Sequence, residues 1–141
     1  MKASVIRTTL RAALLQVPNL PTVQWEAAPF VAPASGQWLE DEVRLGTLVT
    51  GANGTTLSRP LYLLTIHTAP QRITDDLDTL VDAIGNAFEP GRTLTDSDRT
   101  TQLEITTLDA GALRVMPDGW GFRRLTIGAS AWALRTSLIS V

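Results

Sequence analysis

Residues 23–39, VQWEAAPFVAPASGQWL, hold two tryptophans, a phenylalanine, two prolines and a glycine in an order that suits neither a helix nor a plain strand. Trp25 and Glu26 close a short extended segment, and Pro29 and Pro33 each hold the residue before them in extended geometry. The run therefore reads as a stiff, aromatic-studded connector, with Phe30 between the prolines. Ser35-Gly36 supplies a turn, after which Gln37, Trp38 and Leu39 begin a strand.

Upstream of the connector, Ile6, Leu10, Ala13, Leu14 and Val17 fall on one face of a 3.6-residue period, which predicts an amphipathic helix of about four turns ended by Pro18. Arg7 and Arg11 interrupt any apolar run there, so the segment reads as a helix of the mature protein rather than a signal peptide. Downstream, residues 37–49 alternate with Leu39, Asp41, Val43 and Leu45 on one parity, as a strand with one buried face does. Residues 60–67 are more apolar and read as a central strand covered on both sides. Between these strands lies TGANGTTLS, residues 50–58, a long polar hairpin tip of the kind that carries contacts. Ile73, Leu77, Leu80, Val81, Ile84 and Phe88 form the stripe of a second helix, with Thr74 as its N-cap and Pro90-Gly91 as its stop.

Residues 101–108 then read as a strand with Leu103 and Ile105 inward, and Pro117-Asp118-Gly119 as a turn. The final strand runs from Trp120 to about Leu134. Its small residues, Gly128 to Ala133 apart from Trp132, point to close approach by another backbone or a partner surface. The sum is one α+β domain over residues 1–141, a mainly antiparallel sheet of four strands or slightly more packed with two helices, in the order α-β-β-α-β-β.

At 141 residues the chain is long enough to bury a real core, and with no cysteine it has no disulfide, thiol or cysteine–metal chemistry. The net charge of −2 provides no field to draw it to nucleic acid or an anionic membrane, and no run is long enough to span one. Eleven of its twelve basic residues are arginine, which fits either a GC-rich genome or a need for bidentate pairing at interfaces.

No catalytic, metal or cofactor site emerges. His67 is the sole histidine and lies on an apolar strand, where a hydrogen-bonded structural role is the ordinary outcome. Ser130 lacks the second glycine and the strand-to-helix turn of a nucleophile elbow, and Gly51-Ala52-Asn53-Gly54 has no lysine after it to make a phosphate loop. Glu40, Asp41 and Glu42 read as a solvated or ion-paired surface. Such a chain works through its surface, and the candidate contact residues are Trp25, Phe30, Trp38, Gly51, Asn53, Gly54, Arg123, Arg124, Leu138 and Ile139.

The order Trp-Glu-x-x-Pro-Phe-x-x-Pro-x-x-Gly-x-Trp-Leu, placed after an N-terminal helix and followed by a two-strand unit, a helix and an Asp-Gly-Trp turn at residues 118–120, resembles a family of small bacteriophage proteins. These are the tail terminator or tail completion (minor tail) proteins of long-tailed phages, and the resemblance spans nearly the whole chain. It implies a non-catalytic virion protein, assembled in the host cytoplasm, that caps the tail tube as a homo-oligomeric, usually hexameric, ring. Its partners would be the major tail tube protein and the head–tail connector or neck proteins, with DNA passing through the ring unbound. A connector or neck protein of similar size would show nearly the same pattern. A dimeric cytoplasmic module that holds a small ligand is the alternative from another class.

Overall fold

The computed structural model describes residues 3–29, 31–33, 36–46, 48–50, 56–70 and 73–134. Its first element is α1 (Ala3–Leu14), whose buried side chains Ile6, Leu10, Ala13 and Leu14 follow the periodicity, with Val17 completing the stripe. The second helix, α2 (Ile73–Ala87), buries Leu77, Leu80 and Ile84, and Phe88 is buried just beyond its end. Thr74 lies outside the described side chains.

The four-stranded sheet is the expectation that fails. Among the described residues the strands number nine and form one mixed sheet. They are β1 (Thr22–Gln24), β2 (Gln37–Arg44), β3 (Leu48–Thr50), β4 (Thr56–Ser58), β5 (Leu61–Thr68), β6 (Thr93–Thr95), β7 (Thr101–Ala110), β8 (Arg114–Val115) and β9 (Gly121–Ala133). The proline connector is the crossover between β1 and β2, which pair in parallel, and a parallel return needs about a dozen residues of chain. Every other pairing is antiparallel.

One of the added strands follows from a single proline. β4 and β5 share one register along β9, from Leu57↔Trp132 and Ser58↔Ala131 to Leu61↔Gly128. Pro60 has no N–H to give the ladder, although its carbonyl still accepts the Ala129 N–H at 3.1 Å. Across the hairpin the register changes between Arg44↔Leu61 and Leu48↔Ser58, and Gly46 takes up the irregularity at φ +68°. A Cβ at Gly46 would stand 2.6 Å from the Arg59 carbonyl oxygen, so only glycine fits that corner. The expected loop over residues 50–58 is accordingly shorter, because Thr50 pairs with Thr56. Residues 51–55, with Gly51, Asn53 and Gly54, lie outside the described residues.

β9 is the centre of the sheet. One of its edges bonds β5 and β4, the other β7 and β8, and β6 extends the sheet beyond β7. A β-bulge between Ile105 and Thr107 changes the parity of β7, so that Ile105 and Leu108 both turn toward the helices. Opposite the bulge is Gly128, where a Cβ would meet the Thr107 hydroxyl oxygen at 2.4 Å. The small residues of β9 thus serve packing within the chain: Gly128 admits the bulge, and Ala129 and Ala131 belong to the core.

Both helices cover the same face. The core comprises alternate residues of the long strands, including Leu39 and Val43, Tyr62, Leu64 and Ile66, Leu103, and Leu125 and Ile127, closed by α1 and α2. The other parity of β5 is not fully covered, contrary to the sequence reading: Leu63 is buried but Leu61 is 37% exposed. The run LYLL is apolar on both parities, yet only one receives a helix.

Candidate functional site

Strand register builds the site on the open face. Trp38 of β2 lies opposite His67 of β5, and His67 opposite Phe122 of β9, which makes a row of three rings across three strands. Trp38 and His67 stack with centroids 3.9 Å apart and planes 7° from parallel, and Phe122 tilts against His67 at 6.1 Å. One pleat further along, Glu40, Thr65 and Arg124 form the next row. His67 Nε2 lies 2.7 Å from Glu40 Oε1, and Arg124 Nε donates to the Thr65 hydroxyl at 3.4 Å. His67 is therefore a hydrogen-bonded strand histidine, as its context indicates.

Two loops wall this row. The turn before β9 has the Met116 N–H donating to the Trp120 carbonyl at 2.7 Å and the Trp120 N–H donating to Asp118 Oδ1 at 3.0 Å. Gly119 makes the turn at φ +89°, packed so closely on Pro70 that a Cβ would lie 3.1 Å from its ring. This brings Met116 and Trp120 over the aromatic row, while Ala32 and Pro33 of the connector close the other side. The result is a groove of about 590 Å³ with stacked rings on its floor and Glu40, Asp118 and Arg124 at its margins. It is shaped to hold an extended apolar segment or a flat ring.

On the covered face, a polar cluster joins α1 to the sheet. Of the two readings of Asp41, solvated or ion-paired, the second holds, but at 4% exposure the residue is buried rather than on the surface. Its carboxylate accepts Arg11 Nε at 2.8 Å and Nη2 at 3.1 Å, the Tyr62 hydroxyl at 3.0 Å and the Glu26 backbone N–H at 2.7 Å. A buried charge satisfied on this many sides is tolerable, whereas the same charge alone would not be. Arg7 bonds Glu26 beside it, and the Arg11 guanidinium lies 4.9 Å from the Trp25 ring centroid. The hydrogen bond to Asp41 raises the Arg11 pKa against the opposing effect of burial.

Burial first, and then the neighbouring Asp41 charge, push the Tyr62 phenol well above its ordinary range. A pKa raised on folding supplies stability that is complete below the unfolded value, about 10, and is lost as pH climbs beyond it. Above that pH the parent chain should therefore lose up to about 1.4 kcal/mol per pH unit from this group. Tyr62→Phe should lack that component of the slope, a difference read from urea midpoints at pH 9 and pH 11. Equal slopes in the two chains would remove Tyr62 from the alkaline response.

The candidate contact residues separate accordingly. Trp38 and Arg124 line the groove. Trp25 packs on the core under Arg11. Arg123 turns to the helix side, donates from Nε to the Gly111 carbonyl at 2.5 Å and approaches Asp78 at 3.8 Å. Phe30, Leu138 and Ile139 lie outside the described residues, as do the three loop positions. The sequence reading did not assemble Phe122, Trp120, Met116 and His67 with Trp38. No local signal announced it: a hairpin closed about residues 51–55 alone would set position 38 against 68, and the one-residue register change near Gly46 is what brings His67 opposite Trp38.

Among the described residues, no cluster of three or more His, Asp or Glu that could hold a metal comes together. No protein-family model matches the chain, and no curated protein matches its sequence. Solved structures do share its architecture. One, titled only with a sequence identifier, is 14% identical and aligns over 96% of this chain and 98% of its own, with a TM-score of 0.67. Another is a chain from the virion of a native gene transfer agent particle, 18% identical over 92% of each chain, with a TM-score of 0.51. At these identities, what the chain shares with them is its fold.

Proposed function

We propose that this chain is a structural protein of a virion, a tail terminator that closes the tail tube as a ring and joins it to the head or neck without catalysing a reaction. The observation that carries this reading is the fold likeness to a chain of the gene transfer agent virion, which runs over 92% of both chains. The tail-terminator resemblance of residues 25–39 favours the same class. A ring requires a head-to-tail interface that closes. The sheet has the asymmetry for one, because the aromatic groove lies at the start of β9 and the β3–β4 hairpin at its far end. With a net charge of −2, a lumen of such rings would let DNA slide rather than hold its phosphates.

The test is native mass against concentration, with negative-stain images, alone and with tail tubes added. A ring of six with an open centre, free or on the end of a tube, is the expected result. The groove also suits the rival reading, a module that holds a small flat ligand. A stable dimer at every concentration that ignores added tubes would overturn the ring in favour of that module.

A further inference from the structure

The groove is open at its rim. Met116 is 48% exposed, and Val31, next to Ala32 of the wall, is 90% exposed. Exposed apolar side chains beside a half-buried row of rings, in a chain that works by assembly, call for a cover. We propose that residues 135–141, RTSLISV, of a second copy of this chain lie in the groove. Leu138 and Ile139 then rest on Trp38, Trp120 and Phe122. The inference deepens the ring reading, since it says how one copy holds the next.

Three observations select this occupant. The first is chemical, because the segment carries three large apolar residues in seven and suits a ring-lined floor. The second is charge. The segment has one arginine and no acid, and the groove margin carries Glu40 and Asp118 against Arg124. The third is reach. Leu134, whose N–H donates to the Thr100 carbonyl, follows directly on β9, whereas the groove lies at Phe122 near the start of that strand. At about 3.3 Å per residue, the strand between them spans roughly 40 Å. Ile139 can stand at most about 17 Å from Leu134 even when fully extended. The segment of the same copy therefore falls short of its own groove, and the neighbour's is the one it can fill. Repeated from copy to copy, this donation is head-to-tail.

The cysteine-free sequence makes the test clean. Met116→Cys and Ile139→Cys are introduced together into the full chain, which is oxidised and separated without reductant. A mixture of the two single variants is treated in the same way. The expected result is a ladder of linked chains from the double variant, and hetero-linked pairs from the mixture in at least fivefold excess over a control pairing of Ile139→Cys with Leu15→Cys. Leu15 is 62% exposed at the end of α1, in the helical layer. No disulfide, a disulfide within one chain only, or equal linking to the control would each overturn the proposal. The ring is judged separately. A ladder that lengthens without limit keeps the donated segment but overturns the closed ring. A six-fold native mass without the disulfide keeps the ring and overturns the donation.

Discussion

Arg11→Leu is expected to cost about 3–5 kcal/mol of folding stability, the cost of breaking a buried ion pair from one side. The Asp41 side chain has no exposure, and without Arg11 its charge would be held only by the Tyr62 hydroxyl and the Glu26 N–H. Loss of the guanidinium from the face of Trp25 adds to this by about 0.5–1 kcal/mol. Leucine keeps the helix propensity and the apolar bulk, so the deficit reports the pair rather than α1 itself. The decisive comparison is with Arg11→Leu/Asp41→Leu, which removes both charges. It should lose less than the two single variants summed, by about 1–3 kcal/mol, in urea unfolding at neutral pH. Simple additivity would mean that the two groups do not depend on each other in the folded chain.

Phe88→Ala should have a comparable effect by another route. Phe88 is fully buried just beyond α2 and meets the Tyr62 ring edge-to-face, with centroids 5.9 Å apart and planes at 62°. Truncation removes the transfer free energy of the ring and leaves a cavity between helix and sheet, for a loss of about 3–5 kcal/mol. For a chain of this length that lowers the melting temperature by on the order of 10–20 °C. Phe88→Leu keeps most of the volume and should cost about 1 kcal/mol. If alanine proved as mild as leucine, the α2–β5 contact would not be a main support of the fold.

The two helices could be read directly, because their stripes run for three turns or more and nothing competes with a 3.6 period. The sheet could be read only in its long strands. β1, β3, β4 and β6 have three residues each and β8 has two, too few to show any alternation. Pro60 and Gly46, natural signs of a break, mark places where the hairpin is interrupted and then resumes. Asp41 shares its parity with Leu39 and Val43, so the burial of its position was visible, but its cation stands thirty positions away on α1. The groove escaped for a related reason. Its members come from the connector, three strands and a turn, and nothing local to any one of them reveals the others. The proline crossover could be read from its own residues, while the aromatic row beside it depends on long-range register.

The position of β9 also governs the order in which the molecule can be built. A ribosome delivers β2, β5, α2, β6 and β7 before β9, yet β5 and β7 each bond the same absent strand. Until residue 133 has emerged, the nascent chain holds two half-sheets with open inner edges and helices that have only part of a surface to cover. Pairings of such long sequence separation form slowly, and unpaired edges invite association with other chains. Insertion of the last strand closes both edges at once and brings Phe122 beside His67. The aromatic row is therefore complete only after β9 has paired on both edges, so a chain still short of residue 133 displays Trp38 and His67 without the ring that completes their row.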